Sequence, residues 1–254
     1  MSDQRRGIQD DEAVQVIHAA GRSGVVLICE HASHHIPAAL DHLGLTEDMR
    51  LGHAAWDPGA LGVARGLSAA LDAPLVAGGV SRLVYDCNRP PKAPSAILEQ
   101  SEGRDIPGNI GLSHKDRTTR VAQYYLPFEA AVRETMTAAQ ARVLVTVHSF
   151  TPVFMGQRRV VEIGVLHDED RRLADAMLAC SGAHTTFRVE RNAPYGPADG
   201  VTHTLQLHGI GRGIPNVMLE VRNDLIATPQ TQAATARMLA GWITDSLSAV
   251  EIAA

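Results

Sequence analysis

Cysteine is scarce: Cys29, Cys87 and Cys180 are the only three, and no two share C-x-x-C spacing. An odd, scattered set excludes a disulfide framework and a thiolate zinc knot, so any metal site must use nitrogen and oxygen donors. Aromatic residues make up 4% of the 254-residue chain, and no Lys/Arg block is longer than a local pair. With a formal charge of -5 there is no basic field for a phosphate backbone, and nucleic acid is not an expected partner. No apolar run approaches the roughly 18–20 residues that cross a bilayer. The opening MSDQRRGIQDDEAV also lacks the apolar core of a secretory signal. No membrane association is expected, and a cytoplasmic location is.

What is present describes an ordinary folded chain, with 45% apolar and 20% charged residues, values that disfavour disorder. The length suits one domain over 1–254, with 1–23 as an N-terminal extension. Short β-branched runs at 25–29, 82–86, 143–147, 160–166 and 216–221 predict strands, and 58–71, 114–140, 168–180 and 229–248 predict helices. The alternation predicts an α/β fold of three layers, a mixed, mostly parallel sheet flanked by helices. Asp57-Pro58 and Thr228-Pro229 each offer a capping oxygen followed by proline at the first helical position. The Pro- and Gly-rich stretches 88–113 and 191–200 predict loops, the first long enough to be a lid or binding loop.

Two strands end alike: VVLIC runs into Glu30-His31, and VLVTV runs into His148-Ser149. In an open α/β sheet, ligands gather beyond the carboxyl ends of strands, so both imidazoles can meet there despite their separation in the chain. A catalytic zinc takes three protein donors and leaves a fourth position open. Asp57, in HAAWDPGA, is the preferred third donor, although helix capping also explains it; Glu30 and His34 are the alternatives. Glu220, in PNVMLEVRND, is a carboxylate in an apolar strand, either a proton acceptor beside the metal or the ion-pair partner of Arg222 two residues on. Arg82, Asn88 and Arg89, in SRLVYDCNRP, offer anchors for an acidic substrate, with a structural Arg–Asp pair or a turn as the plain alternatives.

The ordered set CEHASHHIP, HAAWDPGA, SRLVYDCNRP, IPGN, VHSFTP, RNAPY and LEVRNDL resembles the N-formylglutamate amidohydrolase family over about residues 24–226. The resemblance implies a fold like that of zinc carboxypeptidases and aspartoacylases. It implies one zinc ion held by His31 and His148, with Glu220 as general base and Arg82 polarising the scissile carbonyl. It further implies that Asn88 and Arg89 grip a substrate carboxylate; a second carboxylate would meet Arg104 or Arg222, and Ser149, beside His148 and without a GxSxG elbow, reads as a hydroxyl near the metal. The His-x-x-Glu pair of carboxypeptidase-like sites is not kept, since His34 stands three residues after His31, which leaves the third donor open. The implied reaction is hydrolysis of a small acidic N-acyl amino acid, N-formyl-L-glutamate first, as in amino acid degradation. The rivals are another N-acyl amino acid deacylase, a small carboxypeptidase, or a non-catalytic binder of acidic metabolites. Four protein donors around the metal would favour the last.

Overall fold

The computed structural model describes residues 12–250. Its centre is a seven-stranded sheet in the order Val14–Ile17, Leu75–Gly78, Val25–Cys29, Val143–Phe150, Asn216–Arg222, Ile163–Leu166, Val189–Arg191. Only two neighbouring pairs are antiparallel: Val14–Ile17 against Leu75–Gly78, and Asn216–Arg222 against Ile163–Leu166. The others run parallel, so the sheet is mixed and mostly parallel, as the alternation predicts.

Every residue of Val25–Cys29, Val143–Phe150 and Asn216–Arg222 is buried, because helices cover both faces. On one face, Val25, Leu27, Val145 and Leu219 pack with the helices Ala60–Leu71, Arg172–His184 and Pro229–Ser248. On the other, Val26, Ile28, Leu144 and Met218 meet the helix Leu126–Ala138 and the loops. The side-chain period of two then puts His148 on the face of Leu144, and Glu220 on the face of Met218. Glu220 and His148 are in register on adjacent parallel strands, so both face the same side.

Several expected boundaries move, each for a local reason. The 82–86 run is a series of turns, in which Val84 N donates to Ser81 O (2.9 Å) and Ser81 Oγ donates to Ala55 O (2.8 Å). The strand of this region lies earlier, at Leu75–Gly78. The helix expected from 58 begins at Ala60, capped by Gly59 at φ 84, where a Cβ would lie 2.5 Å from Ile226 O. Asp57 is therefore not its cap. Thr228 does cap the last helix, accepting from Thr231 N at 3.2 Å, with Pro229 first in the helix. The 114–140 helix is interrupted by a wider turn at Val121–Tyr125, just before Pro127, which has no N–H to give back to residue 123. Strand Val14–Ile17 reaches into the 1–23 segment read as an extension, of which residues 1–11 lie outside the described residues.

The 88–113 segment is a structured excursion rather than a plain loop. It holds a small hairpin, Gln100–Ser101 with Arg104–Asp105. Its return is pinned by the buried Asn109, whose Nδ2 donates to Leu83 O (2.9 Å) and Leu98 O (2.7 Å). Arg120 donates in turn to Asn109 Oδ1 (2.6 Å) and Val84 O (3.1 Å). These bonds fix the backbone that carries Arg82, Asp86 and Asn88.

Candidate metal centre

Three neighbouring strands bring the chemistry together at their carboxyl ends. His31 follows Val25–Cys29, His148 lies near the end of Val143–Phe150, and Glu220 sits in Asn216–Arg222. Asp57 joins them from the loop before its helix, with Asp57 N donating to His31 O at 2.9 Å. His31 Nδ1 and His148 Nδ1 are 3.2 Å apart, and Asp57 Oδ2 lies 3.3 Å and 2.8 Å from them respectively. All three residues are buried, and they form a group able to hold a metal ion.

The far nitrogen of each imidazole faces a carboxylate. His31 Nε2 lies 2.7 Å from Asp86 Oδ1, and His148 Nε2 lies 3.0 Å from Glu30 Oε2, at an angle outside good hydrogen-bond geometry. A carboxylate at Nε2 favours the proton there and leaves the Nδ1 lone pair free to bind a metal. Two such lone pairs and an Asp57 oxygen then converge on one point, where either protons or a metal cation must lie between them. Donors about 2.0–2.1 Å from a tetrahedral zinc stand roughly 3.3–3.4 Å from one another, close to the separations here. Charge agrees: Glu30, Asp57, Asp86 and Glu220 are all buried, and among the described residues Arg82 is the one guanidinium in ion-pair reach of any of them. The donor set fits a divalent ion.

Without an ion, the same crowding of acids favours protons on the imidazoles, the sites for which a metal would compete. Burial alone would raise Asp57, but the imidazoles of His31 and His148 hold its carboxyl well below the usual range. Burial opposes charge on His148, yet Glu30 and Asp57 lift it well above an ordinary histidine. Burial pushes Glu220 up to about 7, with His148 opposing that rise and Asp57 adding to it. Glu220 Oε2 has no hydrogen-bond partner among the described residues, and the residue lines a cavity of about 280 Å³ shared with His31, Asp57, Arg82, Arg89 and His148.

The other sequence candidates divide. Glu30 backs His148, and exposed His34 packs edge-on to Trp56 at 5.0 Å, so neither joins the donor set. Arg82 lines the cavity while its guanidinium contacts Asp86 (2.8 Å) and Asp57 (3.7 Å). Asn88 also lines it, but its amide already donates to Val201 O and accepts from Thr204 N. Arg89 lines it with no acid in ion-pair reach among the described residues. Ser149 Oγ donates to Pro58 O at 2.9 Å, and its N–H approaches Asp57 Oδ2 at 3.3 Å, so the residue braces the Asp57 loop instead of presenting a hydroxyl to a metal. Arg222 is spent on Glu162 (3.3 Å) and Asp224 (2.8 Å), neither of them Glu220, and Arg104 lies exposed on the small hairpin outside the cavity. Sequence reading missed Asp86 and Glu30 as backing carboxylates; its signal was two acids beside the chosen histidine and arginine.

Asp86 carries the stronger of these second contacts, which yields a prediction. Asp86→Asn keeps the shape but removes the charge behind His31, and metal affinity is expected to fall about 10- to 100-fold. Competition with a chromogenic chelator measures it, and wild-type affinity would remove Asp86 from this role.

The model of the N-formylglutamate amidohydrolase family matches residues 23–227. Among solved structures, gene product Atu2144 from Agrobacterium tumefaciens is 53% identical, with a TM-score of 0.90 over 94% of this chain and 96% of that one. An N-formylglutamate amidohydrolase from Ralstonia eutropha JMP134 has a TM-score of 0.71 at 16% identity, covering 93% and 97% of the two chains, a likeness of fold. Comparison with curated proteins gave no match.

Proposed function

Since the chain belongs to the N-formylglutamate amidohydrolase family, we propose that it hydrolyses the amide of an acidic N-acyl amino acid, N-formyl-L-glutamate first, with one zinc ion on His31, His148 and Asp57. The observation that carries this reading is the convergence of two Nδ1 atoms and a carboxylate oxygen within 3.3 Å of one another, beside an unpartnered Glu220 oxygen.

A bound ion supplies Lewis acidity and brings water toward ionisation near neutral pH. The chain does the rest. Glu220 takes a proton from the attacking water and returns it to the amide nitrogen as the C–N bond breaks, giving formate and the free amino acid. Burial raises this carboxyl and a bound divalent ion would lower it, opposing pulls that suit a group that both takes and returns a proton. Arg82 donates to the carbonyl oxygen as charge grows there, held in place by Asp86. Arg89, free of acidic partners, takes a substrate carboxylate. Asp86 and Glu30 keep the two imidazoles turned inward.

A cavity of about 280 Å³ is below the usual 300–1,000 Å³ of drug-sized sites and suits a small metabolite. Three donors, with Glu30 and His34 outside the set, argue for a catalytic centre over a closed structural one. The test is formate release from N-formyl-L-glutamate, beside the N-acetyl and N-succinyl analogues, by protein of measured metal content. Turnover that rises with zinc and is lost on chelation is expected. No release from any of the three, or release by metal-free protein, would overturn the reading.

A further inference from the structure

Two guanidiniums near the cavity have no acid within ion-pair distance among the described residues: Arg89, which lines it, and Arg159, which the sequence did not single out and which stands behind the wall residues Phe150, Thr151 and Tyr195. Arg159 follows the hairpin of Val153–Phe154 and Gln157–Arg158, whose turn needs the left-handed backbone that Met155 (φ 50) and Gly156 (φ 76) adopt. Its guanidinium carbon lies 4.6 Å from the ring centre of Phe154, 4.8 Å from that of Tyr195 and 5.6 Å from that of Phe150. Tyr195 and Phe150 are walls of the cavity. A third wall residue, Thr151, accepts from Arg159 Nη1 through its carbonyl at 3.4 Å.

Three rings and the Thr151 carbonyl hold this guanidinium against the cavity wall, and a guanidinium so held keeps further N–H donors with which it can meet an anion, a task the lysine ammonium does not share. A half-buried guanidinium with no acid beside it has given up part of its hydration without a counter-charge, which an arriving carboxylate restores. The cavity's own acids are engaged elsewhere. Asp57 is in the donor set, Glu220 faces it, and Asp199 Oδ2 accepts from Gly196 N at 2.8 Å. Arg89 and Arg159 also come from different parts of the chain, one before the long 88–113 excursion and one after the hairpin. A substrate with a single carboxylate would need only one of them.

We propose that Arg159 is the specificity-determining residue for the side-chain carboxylate of the substrate, while Arg89 meets the α-carboxylate. The proposal rests on the hydrolase reading above and adds to it the residue that would discriminate between substrates.

The test compares wild type and Arg159→Gln on N-formyl-L-glutamate and its uncharged isostere N-formyl-L-glutamine. A hydrogen bond to a charged group corresponds to about 10- to 100-fold. The expected result is a loss of that size in kcat/KM on the glutamate substrate, carried by KM, and at least ten times larger than the loss on the glutamine substrate. Equal losses on both would mean that Arg159 only braces Tyr195, and would overturn the proposal, as would no loss. Calorimetry separates this from failure of the hydrolase reading. Glutarate has two carboxylates at the glutamate spacing and no amide, so its binding to zinc-loaded protein does not depend on turnover. Arg159→Gln is expected to weaken glutarate by about 10- to 100-fold, and butyrate far less. Unchanged glutarate binding would overturn the Arg159 assignment even in an active enzyme.

Discussion

Glu220→Gln is expected to keep its zinc and lose about 10²- to 10⁴-fold in kcat, with KM little changed. The carboxylate lines the cavity beside the donor set without belonging to it, so its removal takes away a proton acceptor and no metal ligand. Glutamine is nearly isosteric, and Glu220 Oε2 has no partner to lose, so the fold has little reason to respond. The substitution also removes a carboxyl that burial holds at about 7, at odds with its apolar strand. In metal-free protein, a melting temperature equal to or above wild type is therefore expected of the variant. Steady-state kinetics with metal analysis on one preparation checks both parts. Undiminished turnover would take Glu220 out of the mechanism, and lost zinc would make it a ligand.

His148→Ala should do the reverse and lose the metal first. With one of three donors gone, zinc content is expected below about a tenth of an equivalent under conditions that load the wild type, and turnover at background. The alanine variant also strands Glu30 in the core without its imidazole, which costs about 3–5 kcal/mol and confuses a folding defect with a metal defect. His148→Gln separates them. Its amide nitrogen can still face Glu30 while the Nδ1 donor is lost, so a folded protein without zinc is the expected result. Full zinc content in that variant would contradict the ligand assignment.

The strand-end histidines were legible because a buried strand running straight into imidazole has few structural explanations, and the sheet brings those ends together. Asp57 was harder, since Asp-Pro before a helix reads equally well as a cap. Only the left-handed Gly59, forced by the backbone of Ile226, hands the capping position over and frees the carboxylate. Strand propensity misled at 82–86, where Leu, Val and Tyr are buried by turns, not by pairing. The arginines were least legible. Arg222 shares its strand and face with Glu220, yet acids from two other segments claim it, and Arg159 gains its place from rings at 150, 154 and 195. Partners brought together by tertiary structure leave no spacing for a sequence to display.

The central claim is that His31, His148 and Asp57 hold one catalytic ion and leave it open to solvent. Crystals grown with zinc, with anomalous data collected at the zinc edge, test it most directly. One peak is expected about 2.0–2.2 Å from His31 Nδ1, His148 Nδ1 and an Asp57 oxygen, with solvent completing the shell toward Glu220. A peak elsewhere, ligation through Nε2, or a fourth protein ligand closing the shell would contradict it.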